Sequence, residues 1–389
     1  MDQAAAAGNP HGRGRAAVIG AGIAGLVSAR VLRDDGFDVT VFDKESQFGG
    51  VWASTRTYPG LCTNSPRECY AFSDHPYPAD AEVFPTAAQV RAYLASYVER
   101  FDLVPLLRLG TQVLRVAPVG TPGQPGRGFT LTTAPAHDAG VARDEHFDFT
   151  VVCSGTFSEP QLPEIAHADR FAGPILHSSQ ATDPALYAGR RVVVVGAGKS
   201  ALDCAGFAAQ HGRTATLVYR TPHWMMPRYF FGAVRCDWAV ITRFAEVMIP
   251  YHRLGRVEAF LHGRGAALTR AWWRTLDWLI RRSLRVPAEL LPADGLPAGF
   301  ESAGVGQIFY DALEQGRVET RRASIAAATG PDALRLDTGE VIGADLLVCA
   351  TGWRRSLAFL APELAAQVRD ARGAFTLYRH ILPPGQTRL

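Results

Sequence analysis

Short apolar runs alternate with helical-period stretches along this chain in an order that predicts the same βαβ unit twice. Residues 16–19, all apolar, have the length of a buried strand and run straight into Gly20-Ala-Gly22-Ile-Ala-Gly25. Residues 26–32 then carry apolar positions at helical spacing, Asp34, Asp35 and Gly36 end that helix, and a second strand at 39–42 finishes on Asp43. The order returns 176 residues later, with strand 191–195, turn Gly196-Ala-Gly198-Lys-Ser200-Ala201, helix 201–210 and strand 214–219. Between the units, residues 113–133 and 147–152 read as strands, the first interrupted by a Pro/Gly-rich surface excursion at 118–126. Farther on, 309–328 reads as a helix and a strand, and 334–342 as a hairpin about Asp337-Thr-Gly339. The buried run 346–350 meets Thr351-Gly352 and echoes Thr150-Val-Val-Cys-Ser154-Gly155. Strand ends of this kind mark close backbone approach, and the pair predicts two crossings between domains.

The turns carry the chemistry. In such a unit the first glycine makes the tight bend, the second lets backbone approach a pyrophosphate, and the third lets helix and sheet pack closely. The helix N-terminus holds the anion, and an acid ending the second strand accepts hydrogen bonds from a ribose. Gly20, Gly22, Gly25 and Asp43 meet this pattern and suit FAD or NAD. Gly196, Gly198 and Ser200 open the second helix; Ala201 stands for the third glycine, and Tyr219 followed by Arg220 stands for the acid. A guanidinium there suits the 2′-phosphate of NADP. Two dinucleotide sites in one chain predict electron transfer from a nicotinamide donor to a flavin.

Residues 221–300 are rich in Trp, Arg and Leu, with Trp224, Trp238, Trp272, Trp273 and Trp278 among them. A substrate channel or membrane-surface patch is one reading; the preferred one is an added helical layer with its aromatics in the core. Arg243, Glu246, Arg253, Arg256 and Glu258 interrupt the apolar faces too often for a membrane span.

Composition narrows the class. A length of 389 residues predicts two to three domains, and a net charge of +3 from dispersed basic residues gives no footprint for nucleic acid. Six cysteines at 62, 69, 153, 204, 236 and 349 lack zinc or disulfide-framework spacing, which points to a reducing, cytoplasmic setting and no metal site. Residues 1–14 read as a flexible leader without a signal-peptide core, and no apolar run nears the roughly 20 residues needed to span a bilayer. Peripheral membrane contact and oligomeric state stay open.

With these residues in view, the chain resembles the flavin-containing monooxygenases from about Arg15 onward. The likeness rests on Gly20 to Gly25, on Gly49-Gly50-Val51-Trp52, and on the Asn64-Ser-Pro-Arg-Glu68 segment with its Ser73-Asp74-His-Pro76 continuation. It rests also on Phe171-Ala-Gly173-Pro-Ile-Leu-His177, on Gly196 to Ala201, and on Ala350-Thr351-Gly352. Two positions depart from the pattern: Ala181 stands where an aromatic is usual, and Asp43 where Glu is commoner.

The resemblance implies an α/β fold of two Rossmann-like dinucleotide-binding domains, the NADPH domain (186–319, with a helical insertion at 221–300) set into a discontinuous FAD domain (15–185 and 320–389). It implies that NADPH reduces FAD and that a C4a-hydroperoxyflavin formed with dioxygen passes one oxygen to a soft nitrogen or sulfur nucleophile of a small molecule. Gly50 and Trp52 join the FAD-binding residues on this ground. Asn64 becomes the candidate catalytic residue, touching NADP and the flavin peroxide through an amide that both donates and accepts; its bland alternative is a turn cap before Ser65-Pro66. His177 reads slightly more readily as an interdomain packing residue than as a catalytic one. Lys199 is a solvated turn residue or a phosphate neighbour, and Arg228 a second NADP phosphate contact or none. Baeyer-Villiger oxygenation of a ketone is the main alternative. A disulfide reductase, with only Cys62 and Cys69 available, and a non-catalytic flavoprotein are the others. The family continues past the stretch like 378–384 with a further strand and turn, so a chain ending at Leu389 is expected to be a fragment or truncated gene model.

Overall fold

The computed structural model describes residues 12–121, 124–138, 140–251, 253–292, 303–305, 307–370 and 372–383. Most of the leader and the final residues, 384–389, lie outside this range. The chain forms two units, one of Met1–Ala53, Val90–Glu159 and Trp353–Leu389, the other of Ser54–Gln89 and Pro160–Gly352.

The first unit is built on a parallel sheet in the order Leu107–Arg108, Asp38–Phe42, Arg15–Ile19, Phe149–Val152. Its central strand is covered on both faces, as the apolar run at 16–19 requires, and Ala16, Ala17 and Val18 are fully buried. Helix Ile23–Asp34 lays Gly25, Leu26 and Ala29 on one face. Burial of Leu26 alone is worth about 1.5–3 kcal/mol. Core residues on the other face include Phe42, Val116, Leu131, Phe147 and Leu364, contributed by the parallel sheet, helix Pro362–Val368 and a three-stranded antiparallel sheet. That sheet comprises Thr111–Thr121, Gln124–Pro135 and Arg143–Phe147. The expected excursion at 118–126 is instead a hairpin whose pairing reaches Thr121 and Gln124. The single strand expected at 147–152 breaks at Asp148, whose carboxylate accepts the Arg15 N–H at 2.8 Å, and its two pieces enter different sheets.

A five-stranded parallel sheet organises the second unit, in the order Val318–Arg322, Thr214–Tyr219, Arg191–Val195, Leu346–Cys349, Ile175–His177. Helix Lys199–His211 buries Ala201, Leu202, Cys204, Ala205 and Ala208, small side chains that permit close approach to the sheet. The expected hairpin appears as strands Ala333–Leu336 and Val341–Gly343 beside Ile325–Gly330.

Further expectations are corrected. Leu346–Cys349 and Ile175–His177, assigned by sequence to the first domain, hydrogen-bond into the second sheet: Leu346–Cys349 is the second parallel neighbour of Arg191–Val195, and Ile175–His177 pairs in turn with Leu346–Cys349 at the sheet edge. Residues 54–89 also join the second unit. The chain passes between units after Glu159 and after Gly352, just beyond the two echoing strand ends, and also after Ala53 and Gln89. In the insertion, helix Ala266–Leu284 turns Leu276, Ile280 and Leu284 inward. The insertion's tryptophans meet the expected core only in part: Trp224 and Trp273 are half-buried and pack against it, Trp272 is half-buried, and Trp238 and Trp278 are 66% and 60% exposed. Among the described residues, no helix is long and apolar enough to cross a membrane.

Candidate functional site

Gly20 bends the chain at φ +110°, donates to the Phe42 carbonyl at 2.7 Å, and lies so close to the Cys153 carbonyl that no Cβ fits. A Cβ on Gly25 would run into the Gly20 carbonyl, so this third glycine sets the helix down on the strand. Gly22 caps the helix without a side-chain acceptor, leaving the first-turn amides for an anion. Gly49 donates to the Ala21 carbonyl at 2.8 Å, and Gly50 faces Gly22, where a Cβ would stand 3.1 Å from the Gly22 Cα. Trp52 anchors this crossing segment with a buried ring, and its carbonyl accepts from Arg91 at 3.3 Å.

Asp43 is held by the turn it serves. One oxygen accepts the Ala21 N–H at 2.7 Å and the other the Glu45 N–H at 2.9 Å. Each carboxylate oxygen keeps further acceptor capacity, so the shorter acid remains able to receive ribose hydroxyls.

The second turn repeats this geometry. Gly196, at φ +136°, donates to the Val218 carbonyl at 2.9 Å and abuts the Ala350 carbonyl. Ala201, fully buried, stands in for the third glycine with its Cβ 3.2 Å from the point where a Gly196 Cβ would be. Gly198 caps helix Lys199–His211 with no side-chain acceptor, and nothing lies within 4 Å of where its Cβ would be. Tyr219, in the acid's place, is buried and donates its hydroxyl to the Glu289 carbonyl at 3.0 Å. Arg220 is exposed, and its guanidinium donates to nothing among the described residues. Ser200 bonds to the Tyr58 hydroxyl. The solvated-turn reading of Lys199 is corrected: its side chain is 11% exposed, ion-paired with Asp203 one helical turn on, and donates to the Tyr58 hydroxyl at 3.4 Å.

Asn64 also lies in this unit. Its side chain is exposed and has no hydrogen-bond partner among the described residues, while its N–H bonds to the Tyr70 hydroxyl. The following helix, Arg67–Tyr70, is capped at Pro66 without a side-chain bond, so Asn64 does not serve as its cap. Arg228 donates from Nε to the Thr63 carbonyl at 3.4 Å, has a buried Nη2 with no partner among the described residues, and lies over the Phe84 ring.

The Phe171, Gly173, His177 pattern is explained by strand docking. Phe171 is buried, Gly173 packs where a Cβ would meet the Asp345 carbonyl, and the His177 ring reaches the other end of the neighbouring strand. The Ser179 N–H donates to His177 Nδ1 at 3.2 Å, which leaves Nε2 to carry the proton and donate to the Gly352 carbonyl at 3.1 Å. Burial lowers the pKa of this fully enclosed imidazole, chiefly by desolvating its charged form. Ala181, where an aromatic is usual, is fully buried in the same core as Tyr187. Tyr58 and Asp203 were not found from sequence. Asp203 is signalled only by its spacing of four from Lys199, and Tyr58 by nothing local.

Residues 13–259 match the flavin-binding monooxygenase-like family. The chain is similar to probable flavin-containing monooxygenase 1 of Arabidopsis thaliana, at 27% identity over 95% of this chain and 76% of that protein. It is 27% identical to dimethylaniline monooxygenase [N-oxide-forming] 2 of Cavia porcellus, over 95% of this chain and 66% of that one. The chain therefore spans about two thirds to three quarters of these relatives' lengths. In fold it is similar to the OTEMO complex with FAD and NADP, with a TM-score of 0.68 and 20% identity over 93% of this chain and 75% of that one.

Proposed function

The chain belongs to the flavin-binding monooxygenase-like family, and from that premise we propose that it binds FAD at residues 20–25 and NADPH at residues 196–201 and oxygenates a small nitrogen or sulfur nucleophile with dioxygen. The observation that carries this reading is the pair of corresponding turns, each opening a helix whose glycine N-cap makes no side-chain hydrogen bond, with Asp43 beside the first and, beside the second, Arg220, whose guanidinium has no partner among the described residues. At residues 20–25 the first-turn amides and the positive helix end hold a pyrophosphate, while Asp43 accepts from the ribose. At residues 196–201 the open space at Gly198 admits the second pyrophosphate, Ser200 borders it, and Arg220 grips the 2′-phosphate. When bound, the two coenzymes supply hydride transfer and the activation of dioxygen.

Asn64 is the catalytic residue of this reading. Its amide, without a partner among the described residues, offers a donor and an acceptor together and holds no titrating proton, so it can orient a bound group without competing for protons. His177, neutral and spent on Ser179 and Gly352, fixes strands and does not act as a base. We place the reaction in the cytoplasm, where widely spaced thiols stay reduced.

The name of the Cavia porcellus relative supports nitrogen oxygenation as the first substrate class to try. Incubation with NADPH and a mixture of tertiary amine, thioether and cyclic ketone tests the reading: N-oxide or sulfoxide is expected. Lactone as the sole product would replace it with ketone oxygenation, and NADPH binding without turnover would favour a non-catalytic flavoprotein.

A further inference from the structure

Lys199 is hard to explain as part of its own helix. It sits in the first turn, where the macrodipole disfavours a cation, and a cation four residues before an acid is the weaker orientation of such a pair. Yet Lys199 and Asp203 are only 11% and 13% exposed, a costly placement unless a third group completes the arrangement. That group is Tyr58, from a distant part of the chain. Its hydroxyl donates to Asp203 at 3.1 Å and accepts from Lys199 at 3.4 Å, and it also bonds to Ser200 of the turn. The ring is 6% exposed, and burial holds the phenol in its protonated, donating form.

From Tyr58 the chain reaches Asn64 through a braced bend. Leu61 donates back to the Tyr58 carbonyl, the Leu61 carbonyl accepts from Ala87 at 2.9 Å, and Thr63 is held by the Pro85 carbonyl on one side and Arg228 on the other. We propose that Tyr58, Lys199 and Asp203 form a latch that fastens the segment carrying Asn64 to the coenzyme turn, so that occupation of the turn orders Asn64. The three are positioning residues, and Lys199 is not a phosphate ligand. This rests on the reading of residues 196–201 as the NADPH turn.

Amide hydrogen exchange on the purified chain, with and without NADP+, tests the latch. Without coenzyme, Tyr58→Phe speeds exchange at residues 60–64; unchanged exchange there overturns the latch without reference to any coenzyme. In the wild type, NADP+ slows exchange at 198–202 and at 60–64 together. Tyr58→Phe keeps the first protection and loses the second, and retention of both overturns the coupling. Lys199→Met changes the NADP+ dissociation constant by less than about threefold, whereas a loss of about tenfold or more, as expected for a charged phosphate contact, would make Lys199 a ligand. If NADP+ protects neither segment in the wild type, the coenzyme reading fails and with it the proposed coupling, while the comparison made without coenzyme still decides whether the segments are fastened.

Discussion

Asp43 and the Tyr219-Arg220 pair occupy corresponding places in the two repeats and carry opposite charge. Arg220→Ala should therefore weaken NADPH relative to NADH by roughly 1.5–3 kcal/mol, the worth of a hydrogen bond to a charged group. The ratio of kcat/KM for the two coenzymes reads this directly, and an unchanged ratio removes Arg220 from the 2′-phosphate. Asn64→Ala should leave NADPH consumption in place and lower the oxygenated product formed per NADPH. His177 contributes through its neutral form, because protonation would break the Ser179 N–H bond to Nδ1. Its folded pKa lies below the ordinary 6.5, so the stability it provides is present above that value and lost as pH falls through the folded one. Melting temperature should accordingly drop between pH 7.5 and 5.5, and less so in His177→Gln. The turn glycines, Asp43 and Arg220 were legible as positions because spacing along a strand and turn places them, and the roles proposed for them rest on that placement. Tyr58 was not, since its partners lie more than 140 residues away.

The two βαβ units agree at the level of single bonds. Arg15 and Arg191 each open a strand and donate their N–H to an aspartate just before the neighbouring strand, Asp148 or Asp345, both at 2.8 Å. Arg191 adds side-chain bonds that hold the Asp345 carboxyl down to about 2. Stability from this staple is present above the ordinary carboxylate pKa and lost as pH falls toward 2, so Asp345→Asn should flatten the loss of melting temperature between pH 4 and 2. The third turn position separates the repeats. Gly25→Ala forces a methyl into the Gly20 carbonyl and should cost about 1–3 kcal/mol in chemical denaturation, as overpacking does. Ala201→Gly, at the same place in the second unit, should cost only about 1 kcal/mol of helix propensity. Elements with local signals came through from sequence: strands Arg191–Val195 and Thr214–Tyr219 fall on the residues read for them. The break at Asp148 and the partner sheet of Leu346–Cys349 did not, because an apolar run states that it is buried and not which strand lies beside it.

Over the whole molecule, the chain builds two units from interleaved segments, each carrying one βαβ repeat, and a net charge of only +3 gives no footprint for a polyanionic partner. Interleaving was legible in outline, since two strand ends resembling each other flank the second repeat. The membership of residues 54–89 was not, because it depends on contacts with residues such as Asp203, Arg228 and Gly304 that no local pattern announces. The central claim is that the first unit holds a flavin and the second feeds it from NADPH. Titration of the FAD-reconstituted chain with NADPH under anaerobic conditions, followed by absorbance near 450 nm, tests it most directly. Bleaching by NADPH, markedly faster than by NADH, with the colour restored on admission of oxygen, is the predicted result; retention of the oxidised spectrum with NADPH bound would contradict it.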